Sequence, residues 1–498
     1  MEIFFQKKIP IFQILIVKRI FFSSISIEGD FLLGIQLSMR TDFSFRSILL
    51  SFLFVFILLS SCKEKIPENA CDPSSDTFLE AAILSSASGN LFPVCAPPPQ
   101  SFSYPKAVFA NGSPISLVPS VVGTGLSYTV SPALPTGVVL DSFNGLISGS
   151  YIGYAGVDTI YQIKASNSSG SLTYSLELIL FGSAPLKTGQ TVCSDSAGLA
   201  IACAGTKQDG ELQNGSTPSF SGPNLINGTD YTTTDLLTGL IWKSCNEGLS
   251  GSACGSGALS SLSWVASDLA CSNLNAGSGY ANRTNWRLPS VKDLGTILNY
   301  DGSDPASYAS FFPATSASGH WTSTPFFPLN TTDSWYVSFT DGVVRETING
   351  NTNPLRCVSG STIPSPLFKD NGDSTVTDVN TGLIWAQCSA GLSGSGCAIG
   401  AVSLPNWTTA LLTCNSSSLS GRVWRLPSIN ELRSLTNLSL ANPILNTVYF
   451  PGTFNGNYWT STTYTNPLNA WTIDFGPGYV DSISKAATGA VRCVATGP

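Results

Sequence analysis

The sequence predicts a multidomain protein in which an all-β sandwich precedes two related α+β domains. Short alternating strand patterns between turn residues indicate the sandwich in 101–185, and an internal repeat indicates the α+β pair in 220–360 and 368–496. Hydrophobic residues make up 43% of the 498 residues, which is enough to build packed cores. At roughly 150 residues per domain, this length also suggests about three domains.

Charged residues are scarce, at 11% of the sequence, and the formal net charge is −7. Nucleic acid is excluded as a partner, because affinity for a phosphate backbone needs clustered Lys and Arg. His320 is the single histidine, so two related domains cannot share a His-based metal site or a Ser-His-Asp relay. We therefore expect no metal and no cofactor.

The first 61 residues are predicted to be a signal region whose true start is Met39. The apolar run 48–59 is too short for a membrane-spanning helix of about 20 residues, but it suits a signal-peptide core. Small residues then precede Cys62, and this ending resembles the bacterial lipobox. The resemblance implies a lipid on Cys62 that attaches the protein to the bacterial outer membrane. We expect the attached protein to be exposed at the cell surface. The alternatives are an ordinary secretory signal and a membrane-associated extension over 1–38.

Residues 62–100 are rich in Ser and Pro and are predicted to form an extended tether. Alternating patterns at 126–130 and 160–165 then indicate strands of the sandwich. The sandwich segment also resembles the putative-Ig, cadherin-like domains of bacterial surface proteins, which implies a spacer role. Residues 186–219, with Cys193 and Cys203, are expected to be a linker.

The internal repeat has an offset of 143 residues at its start, where the motif TDxxTGLIW begins at Thr234 and again at Thr377. The motifs WRLPS, WTST and RCV recur in the same order. Because each copy is far longer than a solenoid repeat of about 20–50 residues, each should carry its own core. The tryptophans within these motifs are expected to be core residues rather than a platform for ligands.

Each copy is predicted to contain two helices followed by strands. In the first copy, Leu262, Val265 and Leu269, with Trp264 and Cys271, have helical spacing. The second helix begins at Ser290 or Ser428, and an acidic residue follows three positions later, as in a capping box. This pattern favours a capping role for the acidic residues over a catalytic one.

Twelve cysteines remain after Cys62 is set aside, and an exported chain would pair them as disulfides. The layout suggests, as a hypothesis, that each copy has one bond from its first helix to its last strand and one that closes a small loop. The remaining cysteines pair locally by elimination. The pairs are Cys71–Cys95, Cys193–Cys203, Cys245–Cys254, Cys271–Cys357, Cys388–Cys397 and Cys414–Cys493.

Taken together, the repeated motifs resemble the C-terminal domain of the Legionella collagen-like adhesin, a family common in bacterial surface lipoproteins. The resemblance covers 220–360 and 368–496. It implies a C-type lectin-like fold, similar to that of formylglycine-generating enzymes, with a disulfide from helix to final strand. It also implies binding of glycosaminoglycans or other extracellular ligands.

These observations predict a lipid-anchored, adhesin-like surface protein that recognises extracellular matrix, glycan or protein ligands. One alternative is a structural or scaffold envelope lipoprotein without a host ligand. A formylglycine-generating type of enzyme is a further alternative, but the sequence offers no convergent set of titratable groups, so we expect no enzyme. Because the chain is acidic, glycosaminoglycan binding would need a local cluster such as Arg345 or Arg433.

Ligand contact is expected where the copies diverge between matched motifs, at 325–334 and 463–470. Loops on a rigid scaffold commonly carry binding groups. The alternative is that these loops are merely variable connections. The candidate ligand-binding residues are His320, Asn330, Asp333, Arg345, Tyr458, Tyr464 and Asn469.

Overall fold

The computed structural model describes residues 78, 83, 96–301, 306–326 and 328–497. The predicted signal region 1–61, the lipidation site Cys62 and the pair Cys71–Cys95 lie outside the described residues. Over the described part, the chain is a β-rich multidomain protein with few helices. No helix in that part is long and apolar enough to cross a membrane. The C-type lectin-like class of the repeats stays a prediction.

Nine strands form a β-sandwich at the start of the described chain. They are β1 (Ser101–Ser103), β2 (Ala107–Phe109), β3 (Pro114–Leu117), β4 (Ser120–Val122), β5 (Ser127–Ser131), β6 (Val138–Leu140), β7 (Ile147–Ser150), β8 (Val157–Asn167) and β9 (Gly170–Leu180). One sheet has the order β2-β9-β8-β5, a second has β3-β7-β6, and β1 pairs with β4. Inward-facing residues such as Ile163 and Leu178 alternate with exposed ones and form its core.

The sandwich packs directly on the second repeat. The alternating burial along β9 gives way to a continuously buried run over 178–181, because the second repeat covers the outer face there. At this junction, the Gly182 N–H donates to the Val379 carbonyl over 3.1 Å. A Cβ on Gly182 would lie 2.3 Å from the Asn380 carbonyl oxygen, so the close approach needs glycine.

The segment 186–219, which we expected to be a linker, is instead folded against the second repeat. It contains β10 (Cys193–Ser194), β11 (Ala200–Ile201) and the short helix α1 (Asp209–Leu212). The Gln190 side chain donates to the Thr463 carbonyl and accepts from the Thr463 N–H, both over 2.8 Å. The buried amide of Gln190 is therefore paired with a residue 273 positions later in the sequence. The composition of the segment does not indicate such a contact.

Asp209 is buried between this segment and the second repeat, where its carboxylate accepts hydrogen bonds from Thr188 and Thr462, each over 2.7 Å. Burial raises its pKa from 3.8 to about 6. The folded state therefore holds this proton to higher pH than the unfolded state does. Its contribution to stability is complete below about pH 4 and is lost as the pH rises through about 6.

We expect Asp209→Asn to be more stable than the wild type above pH 7, with a difference that shrinks towards pH 4. Denaturant unfolding across this range measures it, with the exposed acid variant Asp268→Asn as the control. Some pH dependence will remain, because Asp378 also has a pKa raised by burial to about 6. An equal difference at both ends of the range would contradict the prediction.

Each repeat combines two short helices with several short strands. The first contains β12 (Phe220–Ile226), β13 (Asp230–Asp235), β14 (Ile241–Lys243), β15 (Leu249–Ser250), β16 (Ser256–Gly257), β17 (Ser261–Leu262), α2 (Trp264–Asn273), β18 (Trp286–Arg287), α3 (Val291–Gly295), β19 (Gly319–Pro325), β20 (Asp333–Ser338), β21 (Val344–Ile348), β22 (Asn353–Pro354) and β23 (Val358–Ser359). A 3-10 helix covers Tyr280–Asn282.

The second repeat contains β24 (Phe368–Asp370), β25 (Thr375–Asp378), β26 (Leu383–Ala386), β27 (Leu392–Ser393), β28 (Ile399–Gly400), α4 (Trp407–Asn415), α5 (Ile429–Ser434), β29 (Asn457–Thr463), β30 (Asn469–Asp474), β31 (Val480–Ser484) and β32 (Val494–Ala495). Two 3-10 helices cover Ser395–Cys397 and Leu419–Gly421. The main sheets have the orders β12-β13-β14-β23-β18 in the first repeat and β24-β25-β26-β32 in the second.

The helices agree with the sequence at their caps but not along every face. Ser290 and Ser428 each form a complete capping box with the acidic residue three positions later. On α2, however, Val265 is 69% exposed and Leu269 is 58% exposed, so the predicted apolar face is wrong there. The buried side chains of α2 are Ser267 and Cys271, and the disulfide of Cys271 holds the helix in place.

The two repeats share one sheet and one large core cluster, so the expectation that each carries its own core holds only for the smaller clusters. The shared sheet has the order β19-β20-β21-β31-β30-β29, and Val344 on β21 pairs with Val480 on β31. These two residues occupy equivalent positions in the repeats, so the sheet has an approximate two-fold axis between them. One cluster of buried residues includes tryptophans from both copies, among them Trp242, Trp335, Trp385 and Trp471. The remaining small clusters surround each long disulfide.

Five disulfides are present within the described residues, and they are five of the six predicted pairs. The long ones, Cys271–Cys357 and Cys414–Cys493, have sequence separations of 86 and 79. The others are Cys193–Cys203, Cys245–Cys254 and Cys388–Cys397. Each long bond joins the first helix of a repeat to the segment around its last strand.

A fully buried arginine from the RCV motif lies beside the small disulfide loop of each repeat. Arg492 donates to the carbonyls of Ala386 and Gln387 and to the hydroxyls of Ser389 and Thr453. Its guanidinium also lies 4.9 Å from the ring centroid of Phe450. Arg356 has the corresponding contacts in the first repeat. Neither guanidinium has a carboxylate partner among the described residues, and burial lowers the pKa of both.

Candidate functional site

The two loops predicted to bind ligand do not converge on one site. Asp333, at the end of the first loop, pairs with Ile348, whereas Asn469, at the end of the second, pairs with Ser484. Because β21 and β31 run antiparallel, these positions lie at opposite ends of the shared sheet. A single ligand therefore cannot contact both loops across a common pocket.

His320 and Tyr458 are wrong as ligand-binding candidates, because both are completely buried at equivalent positions of the repeats. Burial lowers the pKa of His320 to about 3, so the ring is neutral. It lies 2.8 Å from the Asn246 amide nitrogen, and the Tyr458 hydroxyl lies 2.6 Å from the Ser389 hydroxyl. Both rings therefore support the networks of the buried arginines.

Tyr464 and Arg345 both contact the other repeat, and Arg345 nevertheless stays exposed, so a ligand-binding role for it stays a prediction. The Tyr464 hydroxyl donates to the Asp341 carboxylate over 3.2 Å. Arg345 forms an ion pair with Asp481 and lies over the Tyr479 ring, at 5.7 Å from its centroid. Arg433, the other arginine considered for glycosaminoglycan binding, donates to the Tyr300 hydroxyl. These contacts stabilise the shared sheet.

Asn330, Asp333 and Asn469 remain partly exposed. The Asn330 amide donates to the Asp333 carboxylate over 2.9 Å, and the Asn469 amide donates to the Ser482 hydroxyl over 3.3 Å. These bonds shape the ends of the two loops. A ligand-binding role for the three residues stays a prediction.

A larger candidate site lies between the sandwich and the second repeat. This groove, which we call the junction groove, has a volume of about 610 Å³, within the range of about 300–1,000 Å³ that is usual for ligand pockets. Ile179 and Phe181 lie at its apolar base, where the two domains pack together. Its main polar side chains are Lys106, Tyr174, Glu177, Lys369, Asn371 and Arg422.

The junction groove carries both charges and unused donors. Lys369 forms ion pairs with Glu177 and with Asp158, the latter over 3.7 Å. Arg422 lies 4.0 Å from the Asp373 carboxylate, and its buried Nε has no hydrogen-bond partner within the described chain. Because three carboxylates accompany the three cations, the groove suits a polar ligand with limited negative charge rather than a highly charged polyanion.

The sequence did not point to this groove, because its walls come from 105–108, 174–181 and 369–384, with Arg422 added. One signal was present in β9. Its alternation ends in the continuous apolar run 178–181, which is typical of a strand covered on both faces. That run indicates a neighbouring domain but not which one. Among the described residues, no three His, Cys, Asp or Glu side chains are grouped so as to hold a metal ion.

A family model described as the Lcl C-terminal domain matches residues 231–359 and 374–495, which together make up about half of the chain. The chain belongs to the Lcl C-terminal domain family. Its two Lcl C-terminal domains are therefore in tandem, and both contribute to the shared sheet. The second of them forms one wall of the junction groove.

Three solved structures have local similarity to this tandem Lcl protein. A chimeric titin Z1Z2 tandem is 19% identical over 16% of this chain, with a TM-score of 0.13, and this chain spans 50% of the titin chain. An intimin mutant from EHEC O157:H7 is 9% identical over 52% of this chain and 98% of its own, with a TM-score of 0.14. The Yersinia pseudotuberculosis adhesin InvE is 11% identical over 79% and 97%, with a TM-score of 0.17. No curated protein matches the sequence.

Proposed function

We propose that this protein is a lipid-anchored, adhesin-like protein of the bacterial outer membrane that binds an extracellular matrix, glycan or protein ligand in the junction groove. The observation that carries the proposal is the groove itself, which combines an apolar base with the unpartnered Nε of Arg422. Lys106 adds a second cation on the same groove. Membership of the Lcl C-terminal domain family supports a role in surface binding.

The chemistry of the groove favours a ligand that has both an apolar face and hydrogen-bond acceptors. Sugar rings and extended peptides both have this character. Tyr174 and Asn371 supply further polar contacts along the wall. The cationic side chains of the groove that are paired with carboxylates of the protein would orient such a ligand without requiring the ligand to carry a high negative charge.

The covalent and packing features support exposure outside the cell. Five disulfides suit an oxidising compartment. The backbone hydrogen bond from Gly182 to Val379 and the packing of Phe181 on Val379 hold the groove walls together, which lowers the entropy lost on binding. A lipid on Cys62 would retain the protein at the membrane surface, since two or more acyl chains give stable anchoring.

The proposal is tested with purified full chain on immobilised fibronectin and on an immobilised neutral glycan, with immobilised heparin as the highly charged surface that the groove should bind less well. The double variant Arg422→Gln, Lys106→Gln is expected to weaken binding to the preferred surface at least tenfold, because it removes the unpartnered Nε of Arg422 and the ammonium of Lys106 from the groove. Added salt should weaken wild-type binding as well. Arg283→Gln, at an exposed position of the first repeat, is the matched control and should bind as the wild type does.

Cells that carry the full chain complete the test. They should adhere to the same surface, and cells whose chain carries Cys62→Ser should lose adhesion because the protein is released. Wild-type binding that the groove variants leave unchanged would contradict the groove as the site. Absence of any wild-type binding would favour the alternative of a scaffold lipoprotein, which the rigid packing of the domains would also suit.

A further inference from the structure

A second, smaller cavity lies where four parts of the chain meet. It encloses about 100 Å³ between the sandwich, helix α3, the connection 360–367 and the second repeat. This space is large enough to hold ordered waters or a small ion. The residues that matter for its chemistry are Tyr154, Lys292, Pro364, Asp378, Asn430 and Arg433.

Lys292 extends from α3 into this cavity with few partners. Its ammonium donates to the Pro364 carbonyl over a long 3.4 Å, and no carboxylate of the described chain forms an ion pair with it. Burial lowers its pKa to about 8. Asn430 occupies the equivalent position in the second repeat, and its amide donates to the Leu186 carbonyl over 3.0 Å. The cation is therefore a feature of one copy alone.

Arg433 supplies a second cation to the cavity and is held in a fixed place. Its guanidinium donates to the Tyr300 hydroxyl over 2.9 Å and to the Val291 carbonyl over 3.3 Å. It lies directly against Gly295, where an added Cβ would be 2.3 Å from its Nη2. A side chain at that position would displace the guanidinium, so the glycine keeps the second cation beside the cavity.

Asp378 is the carboxylate that lines the cavity, and its oxygens are already in use. One accepts from the Asn380 N–H over 3.1 Å, and the other accepts from the hydroxyls of Thr381 and Ser434 over 2.8 and 3.2 Å. The neighbouring Asp293 forms an ion pair with Arg287. The ionisable lining thus has two cations and one carboxylate, and Lys292 is the cation without an ion pair among the described residues. The carboxylates of Asp235 and Asp293 lie outside the lining but close enough to act on Tyr154.

We propose that this cavity binds a small oxyanion, such as phosphate, sulfate or a carboxylate group, between Lys292 and Arg433. An oxyanion offers several acceptors to the ammonium and to the guanidinium, and charge-assisted hydrogen bonds of this kind are about twice as strong as neutral ones. It would also relieve the repulsion between two part-buried cations. The anion can be a free ion or the terminal group of a larger molecule.

Such an ion would join parts of the chain that are distant in sequence. Lys292 belongs to the first repeat, Arg433 to the second, and Pro364 to the connection between them. A ligand that binds only the folded state raises the unfolding midpoint as its concentration rises. Occupancy of the cavity therefore has two readouts, direct binding and thermal stability.

The test uses the purified full chain at constant ionic strength, with sodium chloride replaced stepwise by sodium phosphate. Calorimetric titration should give saturable binding of one phosphate per chain, and the unfolding midpoint should rise with phosphate. Lys292→Gln should weaken binding at least tenfold, whereas Lys164→Gln, on β8 away from the cavity, should not. Sulfate, acetate and methyl phosphate distinguish a free ion from the terminal group of a larger molecule.

Lys292→Arg keeps the charge and should retain most of the binding, which guards against loss of folding as the cause. The proposal is overturned if the wild type shows no saturable phosphate binding, or if Lys292→Gln binds as well as the wild type does. It is independent of the junction groove, so the variant pair Arg422→Gln, Lys106→Gln should still bind phosphate.

Discussion

Replacing Cys271 with serine is expected to lower the free energy of unfolding by about 2–5 kcal/mol, one of the two largest effects of a single change in this protein. The bond to Cys357 closes a loop with a sequence separation of 86. A loop of that length gives an entropic contribution of about 4.5 kcal/mol in the chain-entropy model. Both cysteines are fully buried, so the serine hydroxyl would also lie in an apolar cluster.

Denaturant unfolding without reductant measures this change. Cys357 should appear as the one new free thiol. Cys245→Ser is the matched control, because its bond to Cys254 closes a separation of 9 and the same model gives about 2.5 kcal/mol. Peptide mapping of the wild type that joins Cys271 to Cys254 would contradict the disulfide pattern, and an equal loss in both variants would contradict the loop-length argument.

Arg492→Met is expected to lower the free energy of unfolding by at least about 3 kcal/mol. Burying a cation without a carboxylate partner is itself costly, so removing the charge recovers part of that cost. The change, however, leaves two carbonyls without this donor in a closed site. It also removes one hydrogen bond from each of two hydroxyls, which stay bonded to Tyr458 and Phe450. Each buried group that loses its hydrogen bond costs about 1–3 kcal/mol, so the losses exceed the gain.

Equilibrium unfolding of Arg492→Met beside Arg283→Met measures this difference. Arg283 is exposed, and its replacement should change stability by no more than about 0.5 kcal/mol. Arg356→Met should behave like Arg492→Met, because Arg356 makes corresponding contacts in the first repeat. A stability equal to or above that of the wild type would mean that the desolvation cost of the buried guanidinium outweighs its hydrogen bonds.

The sequence predicted local and duplicated features well. The capping boxes at Ser290 and Ser428 depend on residues three positions apart, and the disulfides follow from cysteines that repeat in register. It misplaced His320 and Tyr458 because polar and aromatic groups next to a loop resemble binding residues. Both precede a motif tryptophan in a strand, and their shared position was the signal that they belong to the framework.

The candidate sites could not be predicted, because they form between segments that are distant in sequence. The junction groove needs the sandwich to pack on the second repeat, and that contact depends on backbone approach at Gly182. The smaller cavity needs α3 to face Arg433 of the other copy. Neither arrangement leaves a periodic pattern within one segment, so composition and spacing do not reveal it.

The pairing of β21 with β31 lies within one chain, so the association of the two repeats does not depend on protein concentration. Two separate copies joined by such a strand pair would dissociate as their concentration fell. In this chain, the connection 360–367 holds them at an effective concentration on the order of millimolar, so the association does not depend on how much protein a cell makes. The two repeats are also separate segments of the sequence, so a substitution in one repeat leaves the other unchanged. That freedom lets one copy carry Lys292 and the other carry Asn430 at a single equivalent position.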